Sequence, residues 1–193
     1  MSPTAESVLS PAPGAEQYVA LDFVNSAYAL ANGNFVDLLG TPDATNRWLT
    51  DHGLAPDGAN LREMCATQLR SLRENVRALV AARVEGIPVL PAALSAVNDA
   101  LRRVPTAPLL LWDEKSGPYR ETACPPNELL DRALATIAAD AADLLAGPDA
   151  ENLAACDSPP CNRYLLRHGR RQWCSTRCGD RVRAARAYAR RTA

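Results

Sequence analysis

The sequence predicts an α+β protein: a predominantly helical N-terminal domain carrying a small β-hairpin, followed by a compact cysteine-rich module. Three observations lead there. Residues 61–84 and 130–145 place apolar side chains at three- and four-residue intervals, the stripe of amphipathic helices. Between them, PLLLWDEKSGPYRETA changes to strand-forming residues around a Gly-Pro pair. Four of the six cysteines then crowd into residues 156–178. Aromatic residues make up only 5% of the chain, so Leu, Val and Ala must fill the core, which favours helices.

Taken in order, residues 1–15 are rich in Pro, Ser and Ala and are expected to form a loose, disordered tail. They lack the basic start and apolar run of a secretory signal. No stretch approaches the roughly 18 apolar residues of a membrane span, so a cytoplasmic protein with reduced cysteines is expected. The helical domain is assigned to residues 16–148. Its opening, Glu16 to Ala31, is either a strand running into a helix or one buried helix; periodicity leaves both open. Thr41 reads as an N-cap with Pro42 at the first helical position and Gly53 as the stop, turning Ala44, Trp48 and Leu49 inward. Asn60 is expected to cap the longest helix, ending at Gly86 and burying Met64, Cys65, Leu69, Leu72, Val76 and Leu79 among others. A helix over Pro91 to Arg103 follows. Strands at Leu109–Trp112 and Tyr119–Ala123 would turn at Gly117-Pro118. A helix from Pro126 to Ala146 is stopped by Gly147-Pro148, and a further helical turn runs from Asp149 to Ala155.

The net charge of −1 conceals a division. Residues 151–193 hold ten arginines against Glu151, Asp157 and Asp180, a net +7; residues 1–150, with 11 basic and 19 acidic groups, carry −8. A concentrated positive region suggests a polyanionic partner, against the blander reading of a solvated arginine face. The acidic domain could also dock the basic module and mask it.

Within residues 149–193, Cys156, Cys161, Cys174 and Cys178 are spaced Cys-x4-Cys, twelve residues, Cys-x3-Cys. Two pairs of soft ligands are what a structural Zn2+ needs for a closed tetrahedron. Pro159 and Pro160 stiffen the first pair's loop, and a helix beginning at the second pair would point both sulfurs the same way. Arg163–Leu166 and Arg170–Trp173 would form a hairpin around His168-Gly169. Loop, hairpin and helix in that order predict a treble-clef-like zinc finger. So small a unit depends on its metal to fold. Four thiolates leave zinc no open position, so the metal holds the following helix and catalyses nothing. On that helix Arg183, Arg186 and Arg190 share a face, with Arg191 beside them, while Val182, Ala185 and Ala189 turn inward. Arg163, Arg170, Arg171, Arg177 and Arg181 extend the positive surface. Guanidinium groups make paired bonds to phosphates and guanine edges, so nucleic acid is the expected partner.

At these residues the chain resembles the CGNR zinc-finger family, whose signature falls on Cys178-Gly179-Asp180-Arg181. ALDFVNS at 20–26, DLLGTPDATNRWLTDHGL at 37–54 and LREMCATQLRSLRENVRALV at 61–80 are similar to segments of its N-terminal ABATE domain. The resemblance implies a stress-induced transcription regulator: a DNA-binding finger behind a domain that senses a small-molecule effector or forms a homodimer. Asp180 stands where the signature has asparagine, and would cap the helix or pair with Arg181 or Arg183.

Other residues admit two readings. Asp22 and Asn25 interrupt an apolar run; they either bond a neighbouring loop or, with Trp48, line a ligand pocket. His52 sits where it can meet a helix C-terminus. Cys65 belongs to a core stripe, and Cys124 has no evident partner. No phosphate loop or nucleophile elbow occurs, and two histidines leave little for His-based catalysis, so an enzyme is not expected. The alternative to a DNA-binding regulator is a zinc-stabilised module for acidic proteins or RNA.

Overall fold

The computed structural model describes residues 9–104, 109–121 and 128–192. Cys124 and the proposed helix start at Pro126 lie outside them. The element order is α1 (Val19–Val24), β1 (Ala27–Ala29), β2 (Phe35–Asp37), α2 (Pro42–Asp51), α3 (Glu63–Glu85), α4 (Pro91–Leu101), β3 (Leu109–Asp113), β4 (Gly117–Glu121), α5 (Leu129–Ala146), β5 (Leu153–Ala155), β6 (Tyr164–Leu166) and α6 (Thr176–Thr192). A 3-10 turn over Pro148–Asn152 joins α5 to β5. The three sheets are antiparallel pairs: β1–β2, β3–β4 and β5–β6. The α+β class therefore holds. No helix among the described residues is long and apolar enough to cross a membrane.

The core forms where α1, α3, α4 and α5 meet. Leu69, Val76 and Val80 of α3 pack with Val97 of α4, Ile137 and Leu144 of α5, and Leu21 of α1. Small alanines on α5 (Ala133, Ala138, Ala141) let these helices approach closely. Only six residues long, α1 has no cap from its own sequence; Asp140 of α5 supplies one, accepting from Ala20 N at 2.7 Å.

Thr41 caps α2 as expected, accepting from Ala44 N at 3.2 Å. Several details differ. The opening segment is a helix leading into a strand, the reverse of the strand-then-helix order. Asn60 does not cap α3, whose first turn begins at Glu63 without a side-chain cap, and Met64 is 74% exposed there. Gly86, at φ +67°, closes α3 in the left-handed conformation that favours glycine. In the β3–β4 hairpin the turn precedes Gly117-Pro118: Asp113 accepts from Lys115 N and Ser116 N, and pairs with Gly117 at φ +83°.

The largest revisions concern the C-terminal module. Asp149–Ala155 is a 3-10 turn and a strand, and β6 pairs with β5, not with residues 170–173. Leu153, Tyr164 and Leu166 of this hairpin belong to the main core. The loose tail also stops short, because residues 9–15 form a strap across the module. Leu166 N donates to Pro13 O at 2.8 Å, and Ala12 is buried beside the cysteines. A side chain at Gly14 (φ +95°) would strike Leu166 at 2.6 Å, so only glycine fits there.

Candidate metal centre and nucleic-acid interface

Cys156 directly follows β5 and Cys161 lies on the loop returning to β6, while Cys174 precedes α6 and Cys178 lies in its first turn. Ser175 Oγ accepts from Cys178 N at 3.2 Å, an N-cap that starts the helix between the second pair. One helical turn then brings Cys178 back toward Cys174, as the four-position spacing predicts. Ser158, fully buried, donates to Cys178 O at 3.0 Å and ties the first loop to the helix.

All four Sγ atoms lie within 4.8 Å of one another, with Cys161–Cys174 at 3.6 Å and Cys174–Cys178 at 3.7 Å. A tetrahedral zinc with bonds of about 2.3 Å sets its sulfurs roughly 3.8 Å apart, so the cluster fits one structural zinc ion. Sulfurs this close cannot all ionise unaided. Without a cation, hydrogen bonds from the Cys156, Cys161 and Cys174 thiols hold Cys178 far below the ordinary thiol range. The bond to Cys156 leads in pushing Cys161 up. A divalent metal removes that conflict by favouring every thiolate together. Cys174 N, at 3.4 Å, also points at Cys156 Sγ.

The nine arginines expected on the positive surface divide sharply. Arg170, Arg171, Arg177, Arg183, Arg186, Arg190 and Arg191 are exposed. Arg181 is half-buried, and Arg163 is only 2% exposed, with its guanidinium over the Tyr28 ring and bonded to Ser10 O at 2.9 Å. Arg163 is therefore withdrawn from the polyanion surface, because reaching a phosphate would require unpacking the module. Ala185 and Ala189 are exposed rather than inward, and α6 buries only Cys178 and Gly179. A side chain at Gly179 would meet the Trp173 ring at 2.9 Å, which explains a glycine inside a helix. Beyond Val182 the helix stands clear of the core. Asp180 pairs with Arg183 at 2.6 Å, one of its two expected roles, and Arg183 also lies over the Trp173 ring.

The module docks through its hairpin. Asn25, 2% exposed, donates to Tyr164 O at 2.9 Å and accepts from Tyr164 N at 2.8 Å, completing a strand-like bridge to β6. Arg77 of α3 donates to Val24 O and Asn162 O and covers the Tyr164 ring. Ala29 N donates to Asn162 Oδ1 at 3.0 Å. Arg77, Asn162, Ser158 and the strap carry no sequence signal, since their roles depend on partners distant along the chain. Docking leaves the α6 arginines uncovered, so the expected masking by the acidic domain is not what the fold does.

Asp22, Asn25 and Trp48 each make contacts inside the fold. Asn25 serves the docking bridge. Asp22 bonds His52 Nε2 at 3.0 Å, while His52 Nδ1 donates to Trp48 O at 2.7 Å and its ring stacks on Trp48 at 4.0 Å. The loop-bonding reading describes Asp22, and the helix C-terminus reading describes His52. Cys65 is half-buried at the edge of its stripe.

A search of curated proteins finds no match to this chain. Family comparison does: residues 18–148 match ABATE, described as "Putative stress-induced transcription regulator", and residues 152–191 match the CGNR zinc finger. With the cysteine cluster in place behind it, the chain belongs to the ABATE family and carries a CGNR zinc finger at its C-terminal end.

Proposed function

We propose that this zinc-finger regulator binds DNA through α6, with Arg183, Arg186, Arg190 and Arg191 on its projecting part, Arg177 in its first turn, and Arg170 and Arg171 before it. The observation that carries this reading is the exposure of Arg183, Arg186, Arg190 and Arg191 while the start of α6 is held by Cys174 just before it and Cys178 within its first turn. A rigidly held cationic helix of about 10–12 Å diameter matches the roughly 12 Å width of a DNA major groove. The closed tetrathiolate supports a structural role for the metal.

In this reading the N-terminal domain senses an effector or dimerises. The β3–β4 hairpin favours dimerisation, since Leu110 and Trp112 alternate on one face and are 71% and 73% exposed.

Electrophoretic shift across a salt series tests the main proposal. Binding to duplex DNA should show a log–log slope of several units. Replacing Arg183, Arg186 and Arg190 with alanine should reduce that slope by about 2.7. No shift at low salt would favour an acidic protein partner.

A further inference from the structure

We propose that Arg163 and Arg181 are positioning residues of the metal centre, each donating to a different thiolate and together neutralising the charge of a zinc tetrathiolate. Four thiolates and Zn2+ leave a net charge of −2. Taking such a dianion out of water is costly unless countercharges accompany it. Arg163 donates from Nη1 toward Cys174 Sγ at 3.8 Å, and Arg181 donates from Nη2 to Cys178 Sγ at 3.0 Å. Two guanidinium groups match two negative charges.

The converse is independent of the metal's chemistry. Arginine does not give up its proton in proteins, so a buried guanidinium demands an anion nearby. Among the described residues, neither Arg163 nor Arg181 forms an ion pair with a carboxylate. The thiolates are the anions they touch. Both side chains are also held in orientation: Arg181 Nε donates to Ser158 Oγ at 3.1 Å, and Arg163 is fixed by Ser10 O and the Tyr28 ring. Through Ser10, Arg163 links the cluster to the strap over residues 9–15. Arg181, the arginine of the family signature, thus acts on sulfur and not on phosphate.

The test is zinc affinity of the full chain, measured by competition with a chromophoric chelator, for Arg163→Met, Arg163→Lys, Arg181→Met and Arg181→Lys. Each methionine variant should bind zinc about 10–100-fold more weakly, the range for lost partners of metal ligands. Lysine should restore most of the loss by keeping the charge. Methionine variants within twofold of wild type, or lysine and methionine variants equally impaired, would overturn the assignment. Arg163 is deeply buried, so should its variants fail to fold, Arg181→Met decides in the Co2+-substituted protein. Loss of its N–H···S bond should move the sulfur-to-cobalt charge-transfer band to lower energy, because an uncompensated thiolate releases an electron more readily. An unmoved band would refute the proposal.

Discussion

Two arginine populations occupy the same forty residues and meet opposite environments. Arg163, next to a hairpin that shares the main core, and Arg181, in the second turn of α6, face inward onto sulfur. Arg183, Arg186 and Arg190 follow within three turns of helix and face water. The difference shows that positive charge density does not by itself mark a polyanion surface, because a tetrathiolate centre consumes part of it. It also shows that the finger is two things: a docked base continuous with the ABATE core, and a projecting arm.

Metal removal should give the largest effect. Structural zinc contributes on the order of 10–16 kcal/mol to small modules, comparable with the total stability of a domain. Because Leu153, Tyr164 and Leu166 lie in the main core, a strong chelator or Cys174→Ser should lower the melting temperature of the whole molecule. A helical-domain transition left in place after chelation, followed by circular dichroism, would mean that the base is an independent finger. Next in size is Asn25→Ala. It strands the buried N–H and C=O of Tyr164, which should cost about 2–6 kcal/mol in urea unfolding at about one to three per unsatisfied group. A negligible loss would show that apolar contact alone docks the base.

The metal ligands and the helices of the N-terminal domain are more legible in sequence than the base of the finger. Thiol spacing exposed the four ligands, and periodicity exposed α2, α3, α4 and α5, because each signal is local. The base was misread wherever its structure depended on remote partners. The sequence pairs a strand at Arg163–Leu166 with Arg170–Trp173, yet the partner of β6 is β5, which follows a helix-like Asp-Ala-Glu-Asn lead. Asn25 and Tyr164 lie 139 positions apart, and nothing in either segment announces the other. Arg163 looked like its exposed neighbours because burial is a property of the fold, and the strap resembled a tail because Pro, Ala and Gly serve either purpose.

A smaller effect belongs to the helical domain alone. A carbonyl only accepts, so His52 Nδ1 carries a proton toward Trp48 O, and bonding Asp22 requires a second proton on Nε2. The pair is complete only with a charged imidazole. Burial opposes that charge, but the bonds to Asp22 and Trp48 outweigh it and raise the His52 pKa above its ordinary 6.5. A raised folded value means the stabilisation is fully present below about pH 6.5 and disappears as pH rises through the folded pKa. Asp22→Asn should flatten that dependence, as measured by thermal unfolding between pH 6 and 9. An unchanged slope would place its origin elsewhere. Finger docking should not change with it.

The smallest stability effect should come from the arm. Arg183 pairs with Asp180, but both are well exposed, and surface pairs contribute about 0–1 kcal/mol. Its contact with the Trp173 ring, at 5.6 Å, adds about 0.5–1 kcal/mol at an exposed site. Against these losses, alanine is the better helix former at all three positions. The triple variant Arg183→Ala, Arg186→Ala, Arg190→Ala should therefore unfold within about 1 kcal/mol of wild type while losing most nucleic-acid affinity. That separation is the signature of an arm that lies outside the core. Were the variant instead as destabilised as Asn25→Ala, α6 would have to be packed in solution, and base and arm would be one unit.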